Sequence, residues 1–246
     1  MPIALLADIH ANLEALTACL EHAQARRADR YAFLGDIVGY GADAVEVVAL
    51  IRDRARQGAI VLKGNHDEAL DRSNGYYNEA ATAALDWARS TLDPEQRQFL
   101  ADLPLAERQG STCYVHASAA FPERWTYVDS PAEAARSVEA AQASHTFCGH
   151  VHDQMLYFET RARGMTAFQP VPGTAIPVRG HRRWLAIVGS VGQPRDRNPA
   201  AAYTLFDEAR ERLTFFRVPY DARAAAAKIR RAGLPASLAY RVELGI

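Results

Sequence analysis

Short apolar runs alternate with longer amphipathic stretches over the first sixty residues. The runs at 3–7, 31–35 and 59–64 have the length and composition of buried strands. Between the first two runs, residues 12–28 place apolar side chains on one face at helical spacing, namely Leu13, Leu16, Cys19 and Leu20. Strands that alternate with helices predict βαβ units and a largely parallel sheet.

The periodicity becomes purely helical in the next part of the chain. Residues 73–104 carry one apolar face and then a second, shorter one, formed by Ala81, Ala84, Leu85, Ala88 and Leu92, and by Phe99, Leu100 and Leu103. We therefore expect a helical excursion at about 73–104 between two strands of the core.

Beyond the excursion, apolar runs return and predict further strands. Runs at 112–117 and 145–150 enclose a helical pattern at 131–142. Four more runs follow in close succession, at 155–160, 184–191, 201–209 and 212–220. Consecutive strands joined by turns predict antiparallel or mixed pairing, before a last helix that ends at Gly233.

The composition is typical of one globular domain. The chain has 246 residues, of which 49% are hydrophobic, and neither an internal repeat nor a low-complexity linker divides it. This is enough apolar material for one substantial core, so we expect a single domain over residues 1–246. A formal net charge of −1 does not indicate a basic surface for nucleic acid over the whole molecule.

Cysteine usage and the length of apolar runs bear on the compartment. Cys19, Cys113 and Cys148 form no CxxC pair and are odd in number, which favours free thiols in a reducing compartment over a disulfide framework. The first apolar run is too short for a signal peptide, and no segment approaches the length of a membrane span. We therefore expect a cytoplasmic protein that contacts no membrane.

Polar side chains of a particular kind follow five of the predicted strands. They are Asp8 and His10, Asp36, Asn65 with His66 and Asp67, His116, and His150 with His152. Ligands of open α/β sheets bind at the carboxyl ends of the strands, so we expect these side chains to converge there. One such group alone is more often a turn or a helix cap, but a structural role does not account for all five together.

The donor types indicate the chemistry of this site. Carboxylates, an amide and imidazoles without thiolate suit manganese, iron, cobalt, nickel or zinc, and they disfavour a closed structural zinc site. The donors are too many for one ion, whereas two metals about 3.5–4 Å apart with a shared carboxylate would use them and would clamp a phosphoryl group. In an extended chain His150 and His152 point to the same side, so each is expected to reach a different metal, with Gly149 allowing a tight bend.

In this order the motifs resemble those of calcineurin-like metallophosphoesterases. The matching residues are DxH at Asp8 and His10, GD at Gly35 and Asp36, GNH at Gly64, Asn65 and His66, the single His116, and GHxH at Gly149, His150 and His152. The resemblance implies a four-layer αββα sandwich of mixed sheets with a dinuclear metal site at strand ends. Stretches at 35–43, 84–92 and 188–196 further resemble a small prokaryotic branch described as phosphodiesterase-like or as related to diadenosine tetraphosphatases.

The resemblance also implies a role for each motif residue. Asp8, His10 and His152 would hold the first metal, and Asn65, His116 and His150 the second, with Asp36 as the bridge. The implied cofactors are two divalent ions among manganese, iron, zinc, cobalt and nickel, with manganese favoured. A metal-bound hydroxide would attack phosphorus, and His66 would be the general acid that protonates the leaving oxygen. A hydrogen-bonded turn residue is the structural alternative for His66.

One stretch departs from the pattern of the family's Ser/Thr protein phosphatases. Those enzymes carry GDxVDRG, whose second Asp orients the acid histidine and whose Arg grips phosphate, whereas this chain has Gly39 and Tyr40 at the two positions. The departure weakens the protein phosphatase interpretation. It also leaves Asp67 and Asp43 as the candidates for orienting His66.

Two further residues are candidates for substrate binding. Arg195 follows a glycine-rich turn and either contacts an anionic substrate or ties its loop to backbone carbonyls. Asn12 either caps the helix that follows it or touches phosphate. Aromatic residues of the helical excursion, Tyr76, Tyr77 and Trp87, are core residues or a lid over the substrate. His181 lies in a predicted hairpin turn and is not counted as a ligand.

Taken with the resemblance, these residues imply hydrolysis of a small phosphorylated substrate, with a phosphodiester or a nucleotide-like compound favoured. A phosphomonoesterase, a protein phosphatase, a nuclease and a dinucleotide polyphosphate hydrolase are the enzymatic alternatives. A catalytically silent scaffold with this fold is the alternative from another class. The presence of His66 beside all seven predicted ligands favours the enzyme, because a scaffold has little need for the acid.

Overall fold

The computed structural model describes residues 2–71, 77–160 and 164–246. Within them the strands are β1 Ile3–Leu6, β2 Arg30–Phe33, β3 Ile60–Val61, β4 Ala106–Gln109, β5 Thr112–Val115, β6 His145–Cys148, β7 Gln154–Glu159, β8 Met165–Phe168, β9 Ala175–Pro177, β10 Trp184–Val188, β11 Ala201–Asp207 and β12 Arg212–Val218. The helices are α1 Leu13–Ala25, α2 Ala44–Arg56, α3 Asn65–Glu68, α4 Glu79–Thr91, α5 Pro94–Ala101, α6 Pro131–Ala141, α7 Ala222–Arg231 and α8 Ala236–Leu244, with a 3₁₀ turn at Pro122–Arg124.

The strands form two mixed sheets of six strands each. The first sheet has the order β3-β2-β1-β11-β12-β9, and the second has the order β4-β5-β6-β10-β7-β8. In the first sheet β1, β2 and β3 are parallel, while β11 and β12 pair antiparallel. In the second sheet β10 is parallel to β6 and antiparallel to β7. The change from parallel to mixed pairing follows the prediction from the sequence.

Alternation along β1 shows how the layers form. Ile3 and Leu5 pack into the core between the two sheets, whereas Ala4 and Leu6 pack into a core shared with α1 and α2. The far face of the second sheet packs on α6, where Val138 lies in one cluster with strand residues. The resulting order of helices, sheet, sheet and helix confirms the predicted four-layer sandwich.

The helical excursion is present as two helices, α4 and α5. Its predicted start at residue 73 lies outside the described residues, as does Tyr76. Asn78 caps α4 by accepting the amide of Ala81, and Asp93 caps α5 by accepting the amide of Gln96. The small residues of α4 pack against α7 and α8, so the excursion and the last two helices form one helical layer beside the site.

The sequence patterns did not predict three of the described strands, β4, β8 and β9. Their side chains are largely exposed, so they lack the buried apolar positions that mark a strand in sequence. All three lie at the ends of the sheets, where one side of the strand pairs with no other strand of the described residues. Among the described residues, no helix is long and apolar enough to cross a membrane.

Candidate metal centre

The residues that follow the strands adopt an unusual backbone conformation. Asp8, His10, Asp36, His150 and His152 have φ values of 52°, 49°, 52°, 68° and 73°. The left-handed region is unfavourable for side chains with a Cβ, and such strain is commonly retained at functional sites. Here it turns five polar side chains at the strand ends toward one another.

The first group of donors consists of Asp8, His10 and His152. The Nε2 atoms of the two histidines lie 3.2 Å apart, and Oδ1 of Asp8 lies 3.6 Å from Nε2 of His152. One ligand atom from each residue lies within 4.8 Å of the others, and all three residues are buried. The group therefore offers one carboxylate and two imidazoles to a single point.

The second group surrounds His116. Nε2 of His116 lies 3.2 Å from Oδ1 of Asn65 and 3.2 Å from Nδ1 of His150. Asp36 stands between the groups, since its Oδ2 lies 3.5 Å from Nε2 of His116 and 3.8 Å from Nε2 of His10. The structure thus brings together all seven predicted ligands, in the two groups that the motifs implied.

Three of the imidazoles are oriented by main-chain carbonyls. Nδ1 of His10 donates to Val38 O at 3.1 Å, that of His116 to Leu34 O at 2.7 Å, and that of His152 to Gln193 O at 2.6 Å. Because a carbonyl only accepts, each Nδ1 carries a hydrogen, and in the neutral ring the lone pair is on Nε2. This second layer of hydrogen bonds is typical of metal-binding histidines.

The protonation states of His10 and His152 favour a cation at the first group. Burial lowers the pKa of both His10 and His152 well below the ordinary value, so both rings are neutral. Two lone pairs therefore face each other at 3.2 Å with no proton between them. A divalent metal ion bound by both nitrogens removes this repulsion, and the residues present fit such an ion.

The electrostatics of the second group also favour a positive charge. Burial opposes the charged form of His116, but the charge of Asp36, its hydrogen bond and the charge of Asp8 outweigh burial and raise the pKa of His116 to about 9. The proton on His116 partly neutralises a buried carboxylate. His116 and Asp36 would hold a metal ion at the same point, and the ion would supply more positive charge than the proton does.

Gly149 gives Asp8 the room it needs. A Cβ at this position would lie 2.4 Å from the Cβ of Ala7 and 2.6 Å from Oδ2 of Asp8. The carboxylate of Asp8 also accepts the backbone amide of His150, at 3.1 Å and 2.9 Å for its two oxygens. Because Gly149 has no side chain, the residues that follow β1 can approach the loop after β6 closely.

The geometric reason expected for the divergence of His150 and His152 is wrong. Both residues lie in the left-handed region and not in an extended chain. They nevertheless reach different donor groups, His150 that of His116 and His152 that of His10. The left-handed backbone conformation of His150 and of His152 directs their side chains to different groups. The sequence of these non-glycine residues does not reveal that conformation.

His66 is buried beside the two groups and lines the cavity above them. Its ring contacts Tyr40 at 4.6 Å and Tyr77 at 5.2 Å between centroids. Nδ1 has no hydrogen-bond partner in the described structure and faces Gly39, where a Cβ would lie only 2.5 Å away. The imidazole thus occupies the space of the missing side chain, and aromatic packing orients it.

Neither carboxylate predicted to orient His66 does so. Asp67 accepts three backbone amides instead, those of Ile37, Val38 and Gly64. Asp43 lies 2.8 Å from Nζ of Lys228 on α7. Both predictions are wrong, because each carboxylate binds other groups of the protein.

Tyr77 packs against two apolar clusters, as expected for a core residue, and its hydroxyl has a further role. Its hydroxyl donates to the main-chain oxygen of Asn65 at 2.9 Å and accepts the Nδ2 group of the same residue at 3.1 Å. This fixes the carboxamide so that Oδ1 faces His116. Trp87 is partly buried in the helical layer and donates to Ala42 O at 3.4 Å, in line with a packing role.

A cavity of about 420 Å³ lies over the donor groups. His66, Asn65 and His150 reach it from below, and its walls carry four aromatic and two cationic side chains: Tyr40, Tyr77, Trp125, Tyr127, Arg195 and Arg241. Arg195 was predicted from the glycine-rich turn. Arg241, Trp125 and Tyr127 were missed, because a helix surface and a short loop give no local signal of a site.

Asn12 does not line this cavity. Its Oδ1 accepts the amide of Ala15 and caps α1, as one of the two expectations had it. Its Nδ2 donates to Gly192 O at 2.9 Å and to the hydroxyl of Tyr220 at 3.1 Å. The carboxamide has no group left for phosphate, which corrects the other expectation. His181 is exposed, as predicted.

Comparison with known proteins agrees with this geometry. A family model for calcineurin-like phosphoesterases matches residues 1–154, which hold all seven donors and His66. The chain belongs to the calcineurin-like phosphoesterase family. A metal-dependent phosphoesterase is therefore the class of enzyme to which its site belongs.

Three known proteins resemble this calcineurin-like phosphoesterase over its whole length. It is similar to a metallophosphoesterase from Sphaerobacter thermophilus, with 36% identity and a TM-score of 0.90 over 100% of this chain and 99% of that one. An uncharacterised protein of Methanocaldococcus jannaschii is 32% identical over 99% of this chain and 98% of its own. A hypothetical protein of Pyrococcus horikoshii shares the fold, with 20% identity and a TM-score of 0.82 over 100% and 98% of the chains.

Proposed function

We propose that the chain hydrolyses a phosphodiester or a nucleotide-like phosphoester with two divalent transition metal ions. The observation that carries the proposal is the convergence of neutral Nε2 lone pairs, at 3.2 Å for His10 and His152, with Asp36 close to both donor groups. Two neutral Nε2 lone pairs that face each other do not form a hydrogen bond, whereas a cation bound by both nitrogens satisfies them.

Each donor group would hold one ion. Asp8, His10 and His152 form the first site, Asn65, His116 and His150 form the second, and Asp36 belongs to both. Manganese is favoured among the candidates, because oxygen and imidazole ligands without thiolate suit it. When bound, a pair of such ions supplies an activated water molecule and neutralises charge on the phosphoryl group.

His66 would move a proton during the reaction. Nδ1 is fully buried against Gly39, so the Nε2 edge of the ring is the part that reaches the cavity. A proton on Nε2 is placed for transfer to the leaving oxygen of the ester. The rings of Tyr40 and Tyr77 pack against the imidazole and hold it in that position.

The cavity supports a substrate with organic groups around the phosphate. Trp125 and Tyr127 lie against the second donor group, with ring centroids 5.7 Å from His116 and 4.0 Å from His150. Aromatic walls of this kind bind a flat or apolar ester group. They favour a diester or a nucleotide-like ester over a bare phosphomonoester, and over a phosphorylated protein that must approach from solvent.

Hydrolysis of bis-nitrophenyl phosphate and of nitrophenyl phosphate, compared in the presence of manganese, tests the proposal. We expect metal-dependent hydrolysis of both, with the larger kcat/KM for the diester. His181→Ala is the matched control, since it removes an exposed histidine far from the donors along the chain. A metal-loaded protein that hydrolyses neither compound contradicts the proposed activity, and a preference for the monoester contradicts the substrate class.

A further inference from the structure

Two guanidinium groups share one wall of the cavity. Arg195 comes from the loop between β10 and β11, and Arg241 comes from α8. Among residues 2–71, 77–160 and 164–246, no side-chain carboxylate lies within 4 Å of either guanidinium. Two neighbouring like charges repel each other, and an anion bound between or beside them offsets that repulsion.

Arg195 is the better defined of the two. Its Nε is buried and has no hydrogen-bond partner in the part of the chain that the structure describes. The alternative role, tying its loop to backbone carbonyls, finds no hydrogen bond from this nitrogen. A buried donor without an acceptor is unfavourable, so the guanidinium of Arg195 is expected to meet an acceptor supplied by a ligand.

Arg241 reaches the cavity from the helical layer. Its guanidinium lies 5.7 Å from the centroid of the Tyr40 ring, and that ring lies 4.5 Å from the ring of His10. Nε of Arg241 donates to the main-chain oxygen of Ile246 at 2.9 Å, which holds the side chain along the end of α8. Tyr40 therefore contacts both His10 of the first donor group and the guanidinium of Arg241.

The cavity is thus divided by chemistry. Its aromatic side, formed by Trp125 and Tyr127, lies against the donor group of His116 and His150. Its cationic side lies by Tyr40, next to the donor group of His10. A substrate that fills both sides has an apolar or aromatic group at one end and a negative charge at the other.

We propose that Arg195 and Arg241 form a second anion site beside the metal centre. The substrate is then a phosphoester that carries a further phosphate or carboxylate group, bound by the two guanidiniums while the ester phosphate occupies the metal centre. This inference rests on the proposed phosphoesterase function and narrows its substrate class. Charge-assisted, bidentate contacts from arginine are well suited to such a group.

Calorimetric binding of two non-hydrolysable probes to the metal-loaded full chain tests the site. Methylenediphosphonate carries two phosphonate groups, and methylphosphonate carries one. We expect the wild-type protein to bind the first probe more tightly. Arg241→Gln and Arg195→Gln should each reduce this selectivity about tenfold, the loss of one charge-assisted contact. Arg231→Gln, which removes an exposed charge from α7, should leave the selectivity unchanged.

A conservative variant keeps the test decisive where Gln disturbs the fold. Arg241→Lys retains the charge, so it should recover part of the lost selectivity, with circular dichroism and metal content reported for every variant. Equal affinity of the wild-type protein for the two probes, or selectivity that survives both Gln variants, overturns the second anion site. Its failure is distinct from that of the proposed function, because nitrophenyl ester hydrolysis is measured separately on the same preparation.

Discussion

Nε2 of His10 and Nε2 of His152 lie 3.2 Å apart, although each ring already donates Nδ1–H to a main-chain carbonyl. Burial keeps both rings neutral by lowering their pKa. The two nitrogens therefore present lone pairs to the same point, and the fold holds them there through Val38 and Gln193. This arrangement is suited to binding a cation.

Tyr77→Phe removes the hydroxyl that holds the carboxamide of Asn65. The carboxamide then rotates more freely, so we expect metal affinity at the second group to fall about 10–100-fold, the usual effect of losing a second-layer hydrogen bond. Titration of the metal-free protein with manganese measures it. Tyr31→Phe, whose hydroxyl reaches Ala28 O only at 3.5 Å, is the control. Unchanged affinity in Tyr77→Phe would show that the tyrosine does not orient the ligand.

His66→Ala should separate catalysis from metal binding. The ring lies beside the donors but is not needed to complete either group, so we expect metal content close to that of the wild type. Loss of a positioned acid typically lowers kcat by about 10²–10⁴-fold. Elemental analysis and steady-state kinetics are measured together, with His181→Ala as the control. Loss of metal in His66→Ala would mean that His66 is a ligand and not the acid.

Gly149→Ala should disturb the centre through one methyl group. The added Cβ would lie 2.6 Å from Oδ2 of Asp8 and 2.4 Å from the Cβ of Ala7, neither of which has room to move. Overpacking of this kind costs about 1–3 kcal/mol of the free energy of unfolding. Urea denaturation measures the cost, and we expect reduced metal content as well. Gly164→Ala should be neutral, because among the described residues a Cβ there meets nothing within 4 Å beyond its chain neighbours. Equal stability of the two variants would refute the close approach.

Tyr127→Ala should weaken binding of aromatic esters. Its ring stacks on His150 at 4.0 Å between centroids and is 48% exposed, so one part of the ring is free to contact a ligand. An aromatic contact contributes about 0.5–1.5 kcal/mol, which predicts a rise in KM of a few fold for nitrophenyl esters. Phe121→Ala, which removes a ring that is 61% exposed, is the control. A fall in KM for Tyr127→Ala would argue that the ring obstructs the cavity.

The donors of the centre could be predicted from sequence because each stands at the end of an apolar run. The apolar runs that form β1, β2 and β6 are followed by Asp8, Asp36 and His150, respectively. A strand in sequence has a recognisable end, and parallel strands bring their ends to one edge. The wrong geometry for His150 and His152 arose because φ above zero is not visible in a non-glycine residue.

The walls of the cavity could not be predicted in the same way. Arg241 lies in α8 and Tyr127 in the segment before α6, both far from any strand end along the chain. Only the packing of α4, α7 and α8 into one layer brings Arg241 over Tyr40. Tertiary contacts between distant helices leave no local periodicity, so recognition of the substrate is the part of the site that needed the structure.

The most direct test of the central claim is the number of metal ions bound per chain. The protein is saturated with manganese, freed of unbound metal by gel filtration and measured by elemental analysis, alongside Asp36→Ala. We expect close to two ions per chain for the wild type and a clear loss for the variant, because Asp36 lies close to both donor groups. Fewer than one ion per chain in the saturated wild type, or full occupancy in Asp36→Ala, would contradict it.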